Sequence, residues 1–141
     1  LHGHKALLLD FQAHGDDDHV CALFRKDACW GAMSKSNSLW LRWRDPVYSS
    51  LRELAMSCFH EYVNENRKTL RRISARPFNI GAYDPEYWIT GEQCWSMAEE
   101  IDAAPHVDLI TPAQARSLRR RDKLEHQANR LKDTRPPRRK A

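Results

Sequence analysis

The stretch His19-Val20-Cys21-Ala22-Leu23-Phe24-Arg25-Lys26-Asp27-Ala28-Cys29-Trp30-Gly31-Ala32-Met33-Ser34 decides the fold. An apolar run, Val20 to Phe24, meets a polar turn at Arg25-Lys26-Asp27, and a second run opens at Cys29-Trp30. A third run, Ala6 to Phe11, lies upstream. Three short β-like runs separated by turn chemistry predict an antiparallel sheet. His19 then stands at the rim of that sheet, one strand from Trp30 and from the polar end Ser34-Lys35-Ser36-Asn37. A rim histidine facing hydroxyl and amide side chains is a candidate general base with an orienting partner.

Outward from this hairpin, Leu39-Trp40-Leu41-Arg42-Trp43-Arg44 alternates apolar and polar and predicts a fourth, half-buried strand. Asp45-Pro46 carries a helix-start signal, an acidic cap followed by proline. Val47, Leu51, Leu54, Ala55, Cys58, Phe59 and Tyr62 recur at spacings of three and four, which predicts a helix over 46–63 with one apolar face. Lys68 to Ser74 reads as a short strand. Residues 75–86, with Pro77, Gly81 and Pro85, read as loop. Thr90-Gly91-Glu92-Gln93 has the capping-box pattern and predicts a helix burying Cys94 or Trp95, Ala98 and Ile101. Thr111-Pro112-Ala113-Gln114 repeats that signal ahead of a helix to about Asp133, with Leu118, Leu124, Ala128 and Leu131 as a sparse stripe. Arg135-Pro136-Pro137 cannot continue it, so residues 135–141 read as a disordered basic tail. The predicted class is α+β: a small antiparallel sheet, a helix packed on it and two C-terminal helices. The core spans 1–110, a basic helix 111–134, and the tail 135–141.

The charge is uneven. Of 23 Lys/Arg residues, 11 lie from Thr111 onward against 3 Asp/Glu, so that segment carries +8 while residues 1–110 carry −4. Cys21, Cys29, Cys58 and Cys94 form no CxxC pair and read as free thiols of a reducing, cytoplasmic compartment. No apolar run approaches the roughly 20 residues that span a bilayer.

A histidine opening one strand and a tryptophan leading the next resembles the second half of the transglutaminase-like cysteine peptidase superfamily, a papain-like arrangement. Leu7-Leu8-Leu9-Asp10, Asp17-Asp18-His19-Val20, Trp30-Gly31-Ala32-Met33-Ser34-Lys35-Ser36-Asn37 and Arg44-Asp45-Pro46-Val47-Tyr48 are similar to an uncharacterised bacterial branch of it. The resemblance implies hydrolysis or acyl transfer on a peptide or amide substrate. The nucleophilic Cys of the family opens a helix before the first strand, which here would lie before Leu1; Leu1-His2-Gly3-His4 reads as the end of such a helix. This chain is therefore expected to be inactive as it stands. The resemblance makes His19 the proton-exchanging residue, oriented by Asn37 through its amide oxygen or, more weakly, by Ser34. The family usually has an Asp a few residues after the Trp, and this chain does not. Cys21 and Cys29 follow the histidine within strands and have no helix N-terminus to lower their pKa.

Three other features take a plainer reading. His14-Gly15-Asp16-Asp17-Asp18-His19 offers metal-type ligands, but consecutive loop residues rarely converge, so a solvated loop is expected, with no metal or cofactor. Arg119-Arg120-Arg121 and Arg138-Arg139-Lys140 can neutralise phosphates, yet no aromatic follows Trp95 to stack on bases. Trp30, Trp40, Trp43, Trp88 and Trp95 are expected to serve core and sheet packing. The competing function is a non-catalytic interaction module whose basic tail binds acidic partners or nucleic acid.

Overall fold

The computed structural model describes residues 5–36, 38–91 and 94–129. The residues 1–4 and 135–141, for which a helix end and a disordered tail were expected, lie outside the described residues, as does Asn37.

β1 (Leu7–Ala13), β2 (His19–Lys26) and β3 (Cys29–Met33) form the predicted antiparallel meander. The β2–β3 turn is two residues long, and Asp27 and Ala28 both take positive φ, 51° and 64°. That backbone follows the right-handed twist of the flanking strands. Gly31 is required by packing: a Cβ there would lie 2.4 Å from the ring of its cross-strand partner Phe24 and 2.8 Å from Arg44 O.

The fourth strand exists, but four residues later than expected. Leu39–Leu41 form a 3-10 turn, and β4 is Trp43–Tyr48. Asp45-Pro46 therefore starts no helix. Pro46 sits on the outermost strand, beside a register shift opposite Gly31, where a missing N–H costs no ladder bond. The helix begins instead at Ser50, whose hydroxyl accepts from Glu53 N, and α1 covers only Leu51–Met56. The three-four spacing from Leu51 to Tyr62 still marks one buried face, because Leu54, Ala55, Cys58, Phe59 and Tyr62 all reach the core; Val47 is 66% exposed.

The remaining strands are β5 (Val63–Asn64), β6 (Arg67–Lys68), β7 (Leu70–Ser74), β8 (Phe78–Asn79) and β9 (His106–Asp108). The main sheet runs β4-β3-β2-β1-β7-β9, antiparallel throughout, and β8 pairs with the start of β1. The expected loop over 75–86 thus contains β8, a 3-10 turn at Ile80–Ala82 and the start of α2 (Pro85–Ile89).

Two layers cover the sheet. Leu9, Phe11, Cys21, Leu23 and Ala32 face α1 and join Leu54, Cys58 and Phe59 in one cluster. Asp10 alternates to the opposite face, where α3 (Trp95–Ala103) lies with Met97 and Ile101 buried. Of the face expected to be buried, Ile101 is buried, whereas Trp95 is 67% exposed, Ala98 is exposed and Cys94 is half-buried; Met97 takes their place. The helix starts at Trp95 with Cys94 in the cap position, and the Thr90 hydroxyl donates to Glu86 O at the end of α2; Glu92 and Gln93 of the expected capping box lie outside the described residues.

The Thr111–Gln114 capping box forms as predicted, but α4 ends at Arg116, and a second capping box at Asp122–Glu125 starts α5 (Lys123–Ala128). The expected single helix is thus broken in two, and its last residues, Leu131 among them, lie outside the described residues. The break is held by tertiary bonds: Lys68 Nζ donates to Arg119 O at 3.0 Å and Arg121 N to Asn66 O at 3.0 Å. Leu118 packs on the core, whereas Leu124 is 73% exposed and Ala128 is exposed. Trp30 packs against the core as expected, whereas three other tryptophans depart from that expectation by their exposure. Trp40, Trp43 and Trp95 are about half or more exposed, and Trp30 lies under Arg25, 4.8 Å from its guanidinium carbon.

Candidate functional site

His19 opens β2 opposite Phe11, and the period of two along the strand sends His19, Cys21 and Leu23 to the α1 face. Its ring meets Tyr62 edge-on at 6.4 Å. Nε2 is buried and has no hydrogen-bond partner among the described residues. Burial lowers the imidazole pKa below 6.5, so the neutral ring is favoured.

His19 and Ser34 line the same cavity, together with Cys21, Cys58 and Tyr62. The cavity is about 10 Å³, close to the space one water needs. No hydrogen bond joins His19 to Ser34; the Ser34 hydroxyl donates to Leu41 O at 2.7 Å, which fastens the end of β3 to the 3-10 turn. Ser34 thus shares a wall with the histidine but is engaged in local structure. The proposed orienting residue Asn37 lies outside the described residues.

Cys58 is the neighbour that sequence reasoning missed. Its helical spacing marked it as buried, but only the packing of α1 on β2 puts it in the cavity with His19. Neither thiol there is poised to ionise. Burial, then the proximity of Cys58, pushes Cys21 up to about 12. Burial also raises Cys58, against the lowering effect of Arg44. Cys29 pairs with Lys26 at the other end of the hairpin, so the neighbouring strand does not bring it to His19. A neutral imidazole whose Nε2 has no partner among the described residues can accept or return a proton. A thiolate nucleophile does not stand beside it among the described residues.

A second feature lies on the surface near β6. His14, Arg67, Lys68, Arg71, Arg119 and Arg120 line an open groove of about 620 Å³, with Glu65 the one carboxylate in its wall among the described residues. Arg71 is spent on Lys68 O and Leu70 O, and Arg119 pairs with Glu125 at 2.5 Å. Arg67 and Arg120 make no salt bridge among the described residues. The sequence placed the basic character from Thr111 onward; the structure joins part of that segment to cations of β6 and β7.

The acidic loop is exposed at His14, Gly15, Asp17 and Asp18, as expected of a solvated loop, and three hydrogen bonds tie it to its neighbours. Thr69 Oγ1 donates to Asp16 Oδ2 at 3.1 Å, Tyr62 donates to Asp17 O at 3.0 Å, and Ala13 N donates to Asp18 Oδ1 at 3.0 Å. Among the described residues no helix is long and apolar enough to cross a membrane. Neither the protein-family models nor the curated proteins compared with this sequence match it.

Proposed function

We propose that the chain is the histidine-bearing part of a transglutaminase-like cysteine hydrolase or acyl-transfer fold, inactive without a nucleophile from outside the described residues. The observation that carries this reading is the buried Nε2 of a neutral His19, without a partner among the described residues, at the rim of a β-meander and in one cavity with Ser34. In the complete reaction a cysteine thiol would give its proton to Nε2. The thiolate would attack an amide or thioester carbonyl, and the imidazolium would return the proton to the leaving group. Water or an amine would then take the acyl group from sulfur. Asn37 would orient the ring, with Ser34 the weaker candidate. The reading also supports a bacterial, cytoplasmic setting for the protein.

The test is a longer chain encoded in frame upstream of Leu1 and carrying a Cys at a helix start. That thiol should react with iodoacetamide rapidly near pH 6 and slow sharply on His19→Ala. A longer chain in which alkylation ignores His19 overturns the reading.

The groove favours a second reading, an interaction module for polyanions such as a nucleic-acid backbone or an acidic protein segment. Duplex DNA binding should weaken with salt at a logarithmic slope of about −2 to −4, as expected for a few phosphate contacts. Arg67→Glu with Arg120→Glu should abolish it. Binding unchanged by those substitutions removes the groove from consideration.

A further inference from the structure

We propose that Asp10, Asp18 and Asp102 form a binding site for a hard divalent cation of the size of Ca²⁺. The three residues come from separate elements. Asp10 lies in the middle of β1, Asp18 precedes β2, and Asp102 lies in the last turn of α3. One carboxylate oxygen from each lies within 4.8 Å of the others. Two oxygens bound to one Ca²⁺ ion are at most about 5 Å apart, twice the usual bond length, so the cluster fits within one coordination sphere. The smaller Mg²⁺ allows only about 4.2 Å.

Proximity of carboxylates alone makes no site. The independent observation is an orphaned oxygen. Asp10 is 1% exposed, and its Oδ2 is taken by His106 Nε2 at 2.8 Å. Its Oδ1 is buried with no hydrogen-bond partner among the described residues. A buried acceptor of this kind is uncommon and costly unless a ligand completes it.

The surroundings are organised as a ligand shell. His106 is fixed on its other side, with Nδ1 at 2.6 Å from Ala104 O, so it sets the orientation of the Asp10 carboxylate. Hydrogen bonds that orient ligating carboxylates are the usual outer shell of a metal. Asp18 is oriented by Ala13 N, which donates to its Oδ1 at 3.0 Å, and no hydrogen bond to its Oδ2 is made among the described residues. No Lys or Arg among the described residues forms a salt bridge with any of the three. Burial raises the Asp10 pKa, the hydrogen bond and charge of His106 act against that rise, and Asp18 and Asp102 add to it. Asp18 and Asp102 are exposed, which leaves a path for entry and room for water as the remaining ligands. A bound ion would tie α3 to the β1–β2 loop.

Metal-free protein prepared with EDTA is to be titrated with Ca²⁺ by calorimetry and with Mn²⁺ by proton NMR. Ca²⁺ should bind at one site with a dissociation constant of about 0.1–1 mM, in the range of weak oxygen-ligand sites. Mn²⁺ should selectively broaden the His106 ring signals. Asp102→Asn and Asp18→Asn, both at exposed positions, should each weaken Ca²⁺ binding about tenfold or more. Absence of saturable Ca²⁺ binding overturns the proposal, as does affinity unchanged in both variants. Should a variant fail to fold, the Mn²⁺ map of the unaltered protein decides, because broadening that spares His106 places the ion elsewhere.

Discussion

His106 Nε2 lies 2.8 Å from Asp10 Oδ2, and this bond couples the outermost strand β9 to β1 across the intervening β7. Both side chains are at most 2% exposed. The pair is the polar counterpart of the apolar cluster on the other face of the sheet, and it fixes where α3 leads into β9.

His106→Ala removes the partner of Asp10 Oδ2 and leaves both oxygens of a buried carboxyl group unpaired among the described residues. The expected loss is about 3–5 kcal/mol, the range for breaking one side of a buried pair. His106→Gln, which can still donate, should lose less. Urea denaturation of the two variants checks the order, and equal losses would show that the ring's packing, not its hydrogen bond, matters.

Leu54 is fully buried between α1 and the sheet. Leu54→Ala should cost about 2–5 kcal/mol. Val47→Ala, at a position 66% exposed on β4, should change stability by no more than about 0.5 kcal/mol. Denaturation midpoints that fail to separate these two substitutions would contradict the placement of α1.

His19 links stability to pH. Its folded-state pKa lies below the ordinary 6.5, with burial as the cause. Between the two values the unfolded chain binds more protons than the folded one, so stability rises with pH in that window. The contribution is complete above 6.5 and is lost as pH falls toward the folded-state value. The urea midpoint should therefore drop from about pH 7 to about pH 5, and His19→Gln should flatten that part of the profile. A wild-type slope retained in the variant assigns the effect to another group.

The thiols should fall into two classes. Cys21, with its pKa pushed to about 12, and Cys58, also raised, are buried and should resist iodoacetamide at neutral pH. The thiolate fraction of a group titrating near 12 is about 10⁻⁵ at pH 7. Cys29 and Cys94 are half-buried and should label first. Mass spectrometry of labelled peptides reads the order directly. Rapid labelling of Cys21 or Cys58 that depends on His19 would reveal a Cys–His pair within this chain.

Local chemistry was legible in the sequence. The β2–β3 hairpin, the start of α4 and the burial of Leu54, Cys58 and Phe59 follow from turn composition, a capping box and side-chain periodicity. These signals act over a few residues and keep their meaning in any context. The α+β class follows from their sum.

Everything that depends on strand order was decided by tertiary structure. Pro46 is compatible with a helix start and with an edge strand, and only its place beyond β3 selects the strand. Asp10 and His106 stand 96 residues apart in sequence and meet because β7 lies between β1 and β9. Asp18 and Asp102 join them for the same reason. His19 carried a chemical signal in its residue type alone, but the neutral state of its ring and the closure of its cavity arise from the packing of α1 and Tyr62. Residue identity determines which groups can titrate, ligate or pack; burial and long-range pairing determine which of them do, because desolvation and electrostatic coupling exist only after the chain has closed on itself.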